Sequence, residues 1–299
     1  MDERPNVLFL GSPYWCQHLS RLLNEHQLLH AYTWKRTFGW LVSRHKSICL
    51  VGLGPPDTHK RFLYHLAAFV LQQLRIVDRR IIYWIGSDVS RLRKKSRFVA
   101  GAVNIAGSAW LAEEVCGHGF ACKERLFPVE LPVRDKLPFP KKTRLQVLCY
   151  MPDAYHELHG SSEIRATAEA LTDADFTIIG GTGSWWPGFP GNVRFLGWTN
   201  DVVECLAEAH VLLRRTSHDS LSAFVREGLV AGRQVVFTYD FPGTIYVASG
   251  DTEALIARVR EFRDRNIDGR LEHSRLDPEV RNRLVDTRAQ LKALLKDYG

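Results

Sequence analysis

The chain has no apolar run long enough to cross a bilayer. Its greasiest stretch, Leu66 to Val77, is broken by Gln72, Gln73 and Arg75, and falls well short of the roughly 20 apolar residues a hydrocarbon core demands. Met1-Asp-Glu-Arg-Pro carries acidic residues and no apolar segment ahead of a cleavage site, so no signal peptide is predicted. The six cysteines, at 16, 49, 116, 122, 149 and 205, form no CxxC pair; reduced, mostly buried thiols are expected, as in a cytoplasmic protein. Cys116, His118 and Cys122 come nearest to a metal pattern but lack a partner cluster, and no metal is predicted.

Two nucleotide fingerprints are also missing. Gly52-Leu-Gly54-Pro-Pro lacks the third glycine of a dinucleotide motif, and prolines stand where a helix would donate N–H groups; this disfavours a nicotinamide dehydrogenase. Gly180-Gly181-Thr182-Gly183 runs into Trp185 and Trp186 without a Gly-Lys-Ser/Thr end, so it reads as a flexible glycine loop rather than a P-loop.

What is present is a globular composition. With 299 residues, 45% hydrophobic and 24% charged, the chain can bury a large core and has the length of two domains. The net charge of +7 is uneven: residues 1–140 hold 20 Lys and Arg against 11 Asp and Glu, and residues 141–299 hold 20 against 22. A basic first half suits an anionic partner, such as a membrane surface, a phosphorylated substrate or nucleic acid.

Short β-branched runs alternate with segments of helical period, which predicts repeated β-α units and parallel sheets. Strands are expected at 6–10, 29–33, 47–51, 80–85, 102–105 and 123–127, and helices at 14–24, 59–76 and 109–118. Pro128, Pro132, Pro138 and Pro140 then mark a linker. The rhythm restarts with strands at 145–150, 176–180, 193–196, 211–214, 234–238 and 245–248 and helices at 161–171, 202–209, 220–231, 253–265 and 278–298. The expected architecture is two Rossmann-like domains, 1–140 and 141–299, facing a cleft, with the final helix able to pack back on the first. Ligands of such sheets bind beyond the strands' carboxyl ends, so the site should be made of loops that follow strands.

Several such loops carry polar chemistry. Gly11 and Ser12 follow the first strand, where glycine admits a ligand and the next helix start offers N–H groups to an anion; a tight turn explains them as well. Ser87 and Asp88 follow an apolar strand, where Asp88 could take a hydroxyl proton or simply cap a helix. Arg91, Arg93, Lys94, Lys95 and Arg97 form a basic run, either a solvated face or a seat for an anionic surface or phosphate; without interleaved aromatics or a recognised module, nucleic acid is not the expected partner. Asp173-Ala-Asp175 spells D-x-D but lies at the start of a strand, the wrong edge for the site.

The richest stretch is Arg214 to Gly232. Arg214, Arg215, Thr216, Ser217, His218, Asp219 and Ser220 crowd a predicted helix entry, where N–H groups and fixed positive charge favour a diphosphate. Asp219 and Glu227 are about two helical turns apart and can flank one side of that helix to accept bonds from sugar hydroxyls. Capping by Asp219 and pairing of Glu227 with Arg226 or Arg233 is the plainer reading of the same residues.

Four motifs in order then carry a resemblance: Val193-Arg-Phe-Leu-Gly197, Ala209-His-Val-Leu-Leu213, Asp219 spaced seven residues from Glu227, and Gly232-Arg-Gln-Val-Val236. Over residues 145 to 250 the chain resembles the GT-B glycosyltransferases of the large retaining family that includes glycogen synthase (glycosyltransferase group 1). The resemblance implies an α/β GT-B fold and transfer of a sugar from a nucleotide-diphosphate donor to a glycan, lipid-linked or anionic acceptor, with retention, without metal and with no cofactor beyond the donor. It implies that Glu227 binds ribose hydroxyls, Asp219 the transferred sugar, Ser220 and Leu221 N–H groups the diphosphate, and Trp198 the base. Gly11, Ser12, Gly181, Arg214, Arg215 and His218 complete the donor-side set. Asp88 is a catalytic candidate, and the acceptor side is expected near Gly11, Ser12, Ser87 and the basic run. The sequence departs from the family in having Asp219 for the first Glu and in lacking the Arg-x4-Lys pair, with His156 and His159 in that region and Arg214 or Arg215 as substitutes for its charge. A sugar-nucleotide epimerase and a non-catalytic sugar-nucleotide-binding protein remain open alternatives. The expected location is cytoplasmic, peripheral on the inner face of a membrane.

Overall fold

The computed structural model describes residues 6–26, 30–33, 46–52, 59–90, 92, 94 and 96–298. In chain order the first elements are β1 (Asn6–Gly11), α1 (Pro13–Glu25), β2 (His30–Thr33), β3 (Lys46–Val51), α2 (His59–Gln73), β4 (Arg79–Trp84), β5 (Val103–Ala106), α3 (Ala109–Gly117) and β6 (Cys122–Glu124). There follow β7 (Gln146–Tyr150), α4 (Ser161–Ala170), β8 (Asp175–Ile179), β9 (Val193–Gly197), α5 (Val202–Glu208), β10 (Val211–Arg214), α6 (Ala223–Val230), β11 (Gln234–Phe237), β12 (Thr244–Tyr246), α7 (Thr252–Ile267), α8 (Pro278–Val285) and α9 (Thr287–Tyr298). They divide into two compact units: residues 1–129, 218–221 and 286–299 form the first, and 130–217 and 222–285 the second.

The first unit holds a parallel sheet in the order β2-β1-β3-β4-β5-β6. Its central strands are nearly continuous apolar runs because helices cover both faces: Val7–Leu10, Ile48–Val51 and Ile81–Trp84 are all buried. Leu291 and Leu294 of α9 lie in the same core cluster as Val7, Phe9 and Ile81. A buried Arg80 donates to the carbonyls of Phe98 (2.7 Å) and Ala100 (2.8 Å), fixing the turns after the basic run.

The second unit repeats the plan in the order β12-β11-β10-β7-β8-β9, again all parallel. Leu145, Cys149, Phe176, Val211, Leu213, Val236 and Trp186 share its main core.

Local chemistry moves some boundaries. The helix expected from Ser220 begins at Ala223, because Ser222 is extended and its hydroxyl caps Val225 N (3.4 Å). The helix expected over 278–298 is two helices, the second capped by Asp286, which accepts from Ala289 N at 2.8 Å. The helix expected to reach Ile76 stops at Gln73, and Arg75 turns left-handed with φ 57°. The strand expected over 123–127 is shorter, Cys122–Glu124. Among the described residues no helix is long and apolar enough to cross a membrane.

Candidate functional site

Parallel register brings the carboxyl ends of β7, β8, β10 and β11 to one edge of the second sheet, since Leu213 stands level with Cys149 and Val236. The loops leaving that edge hold most of the donor-side candidates. Arg214 ends β10 and is buried; its Nη1 donates to His159 Nδ1 at 2.8 Å and its guanidinium stacks 5.5 Å above the Tyr150 ring. Burial, and then the Arg214 charge, pushes the His159 imidazole down to about 3.

Successive side chains of a strand point to opposite faces, and Arg215 accordingly goes elsewhere. Its guanidinium donates to Glu163 Oε1 (2.7 Å) and to the carbonyls of Val247 (2.7 Å) and Ala248 (2.6 Å). Of the two arginines expected to supply charge to a diphosphate, Arg215 is thus committed to holding the fold. Gly160 makes room for it: φ is +71°, and a Cβ there would lie 2.4 Å from the Arg215 carbonyl oxygen, a clash only glycine avoids.

Glu227 lies in the second turn of α6, a helix buried from Phe224 to Val230. Its side chain is nine-tenths buried, and among the described residues no donor bonds to its carboxyl. Desolvation raises it to about 7, with Arg226 pulling the other way. Arg226 itself donates to Leu284 O at 2.7 Å. A buried carboxyl without donors is costly, and it becomes favourable when a ligand brings hydroxyls to it.

The glycine loop after β8 is held by a residue the sequence reading passed over. Asp153 accepts from Thr182 N (2.8 Å), Thr182 Oγ1 (2.8 Å) and Gly183 N (3.0 Å). The Thr182 amide, and with it the Thr182 hydroxyl and the Gly183 and Ser184 amides, holds the Asp153 carboxyl below its usual range. Gly181 is packed so closely that a Cβ would lie 2.6 Å from Met151 O. Trp185 stacks on His156 at 4.9 Å and 7°. Trp198, past β9, is 75% exposed. Asp173 and Asp175 of the D-x-D pair with Arg263 (3.3 Å) and Arg144 (2.9 Å).

The remaining candidates belong to the first unit. His218–Leu221 is part of it: Asp219 forms an antiparallel bridge with Gly86, and its carbonyl accepts from Trp110 Nε1 at 2.8 Å. Asp219 Oδ1 accepts from Ser220 N (2.9 Å), and His218 Nε2 meets Glu114 Oε2 at 2.7 Å. Ser220 and Leu221, expected to present helix-entry amides, lie before the helix, and the Ser220 amide is taken by Asp219. Asp88 folds back on its own strand end, its Oδ1 accepting from Gly86 N (2.8 Å) and Ile85 N (3.1 Å). It thus caps the preceding turn rather than a following helix. Gly11 closes β1 with φ 132°, and Ser12 N donates to Val51 O at 3.0 Å. Ser87 and Lys94 are exposed, whereas Arg91, Arg93 and Lys95 lie outside the described residues.

The sequence matches no family model and no curated protein. The structure is similar to HepE from Anabaena, solved in complex with UDP, at a TM-score of 0.67 and 11% identity over 97% of this chain and 98% of that one. Sucrose-phosphate synthase from Thermosynechococcus elongatus gives 0.61 at 12% identity over 98% of both chains. A glycosyltransferase from Rickettsia africae gives 0.58 at 10% identity over 99% of this chain and 98% of that one. At such identities the likeness is one of fold, and the fold is GT-B: α/β, with two Rossmann-like parallel sheets.

Proposed function

We propose that the protein is a glycosyltransferase that moves a sugar from a nucleotide-diphosphate donor to a glycan, lipid-linked or anionic acceptor. The Glu227 carboxyl carries this reading. It is buried, lacks donors among the described residues and stands on the helix that follows a strand whose loop opens at the sheet's carboxyl edge. Two vicinal ribose hydroxyls would supply the missing bonds and favour the ionised form. HepE, which shares the fold, has been solved with UDP and with UDP-glucose.

Arg214 and the amides at the start of α6 offer positive potential to a departing diphosphate, the place where charge develops. In the proposed reaction the bond from the sugar's anomeric carbon to the diphosphate breaks and one to the acceptor oxygen forms. The acceptor's proton passes to the diphosphate. Asp219 orients the sugar hydroxyls, Trp198 offers an indole face to the base, and the reaction retains configuration without a metal. The acceptor and an anionic membrane surface belong to the basic first unit, with the protein cytoplasmic and peripheral.

Incubation with UDP-, GDP- and ADP-sugars, followed by release of the nucleoside diphosphate, tests the reading. One donor should be consumed by the wild type, and Glu227→Gln should slow its consumption by roughly 100-fold or more, the loss of two charge-assisted bonds. Unchanged turnover in Glu227→Gln would refute the site.

A further inference from the structure

The helix α2 is apolar on nearly all sides, yet one side is left uncovered. Its inner side is used: Ala68 lies in the core, with Tyr64 and Leu71 packed against it. Its outer side shows Leu63 (56% exposed), Ala67, Val70 (41%) and Leu74 (63%), and Ile76 (41%) extends the patch. Positions 63, 67 and 70 are spaced by four and three residues, which places them in one stripe along the helix, and Leu74, in the turn just past Gln73 with its N–H bonded to Val70 O at 2.9 Å, continues it. A helix apolar all round is ordinarily buried all round, and a contiguous exposed stripe marks an interaction surface.

The charge around the stripe is of one sign. Between residues 59 and 112 the sequence has ten Lys and Arg and only two acids, Asp78 and Asp88. Asp88 is bound to its own turn, and Asp78 is exposed just past the helix. The basic run is tied to the helix by side-chain contact: the Phe98 ring packs edge-on against Phe62 (5.5 Å) and Phe69 (5.8 Å), and Arg97 lies over Phe98 at 5.3 Å. Lys94, Arg97, Arg75 and Arg79 are exposed.

From this pairing of apolar stripe and one-signed charge we infer that the outer face of α2 docks on an anionic lipid bilayer. The helix lies in the plane of the interface, with Leu63, Val70 and Leu74 among the acyl chains and Lys94 and Arg97 at the headgroups. An anionic bilayer engages both parts of this surface at once, the acyl chains meeting the stripe and the headgroups the cations, whereas a neutral bilayer would leave the cations unpaired. The inference gives a location to the acceptor side of the proposed function, resting on that reading only for the direction of the chemistry.

The test is co-sedimentation of the full chain with vesicles of phosphatidylcholine alone and of phosphatidylcholine mixed with phosphatidylglycerol. Binding is expected to the mixed vesicles only, and to fall as salt screens the charges. Val70→Glu with Leu74→Glu should lower partitioning by roughly tenfold or more, and Lys94→Glu with Arg97→Glu by a similar factor. The charge variant keeps the test decisive if the apolar one fails to fold, as a thermal melt would reveal. Equal binding to neutral vesicles, or undiminished binding by the variants, overturns the inference. So does a wild type that ignores vesicles but self-associates, with Val70→Glu and Leu74→Glu making it monomeric; that outcome assigns the face to a second copy. Donor hydrolysis measured without vesicles should be the same in wild type and in Val70→Glu with Leu74→Glu, so a failure of docking is separable from a failure of the sugar chemistry.

Discussion

Arg215 and Glu163 form an ion pair at 2.7 Å in which the two side chains are 0% and 5% exposed. The same Glu163 oxygen accepts from Gly250 N at 3.0 Å, so one carboxylate joins the start of α4 to the loops after β10 and β12. Removing one member of such a pair leaves a bare buried charge.

Glu163→Ala is therefore expected to cost about 3–5 kcal/mol. Glu163→Leu combined with Arg215→Met should recover most of that loss, since no charge is then stranded. Urea unfolding of Glu163→Ala, of Glu163→Leu and Arg215→Met singly, and of their combination measures both values and the coupling between the two residues.

The Glu227 carboxyl gives a pH signature. Its folded value, about 7, lies above the ordinary 4.5, so the folded chain binds the extra proton between those limits. The stability this group contributes is complete below about 4.5 and is lost as pH rises through about 7, a total of at most about 3 kcal/mol. Glu227→Gln should remove that slope and leave the protein more stable than wild type at pH 8, even as donor turnover collapses. Unfolding free energies from pH 4 to 8 provide the comparison, and parallel slopes would contradict it.

His159 has the opposite sign. Its folded value of about 3 lies below the ordinary 6.5, so the unfolded chain takes up the proton first and stability falls as pH drops from about 6.5 toward about 3. NMR titration should show the ring neutral down to about pH 4, with Nδ1 accepting from Arg214. Arg214→Gln removes the cation but not the burial, so the value should rise without returning to 6.5.

Asp153→Ala should loosen the glycine loop. Three donors from Thr182 and Gly183 lose their acceptor, and amide exchange at residues 181–184 should accelerate by at least about tenfold, the loss of one to two charge-assisted bonds. Exchange in β7 and β10 should not change.

The alternation of strands and helices was legible because the central strands are buried on both faces and read as unbroken apolar runs: Ile48 to Val51, Val211 to Leu213, Val235 to Phe237. The spacing from Asp219 and the motifs around it single out Glu227 in the sequence, whereas its burial on a helix enclosed from Phe224 to Val230 was not readable there. The different fates of Arg214 and Arg215 were not readable either, since both are arginines at a strand's end and only the alternation of faces, with Glu163 waiting on α4, separates them. The start of α6 was missed because residues 218–221 answer to groups more than a hundred residues away, Trp110 and Gly86. Asp153 gave no signal beyond an acid three residues past a strand, and its partner loop lies about thirty residues on.

The division of the chain bears on how it is made. The first unit draws its residues from three stretches, the last of them 286–299, and Leu291 and Leu294 complete a core that Val7 and Phe9 begin. A ribosome releases the amino-terminal sheet early, and domains ordinarily fold in the order of synthesis. The last residue of the second unit, Val285, precedes α9, so the second unit has all its residues while the first still lacks Leu291 and Leu294 and keeps an open apolar face. A released chain truncated after Asp286 should keep a second unit that resists protease and a first that does not.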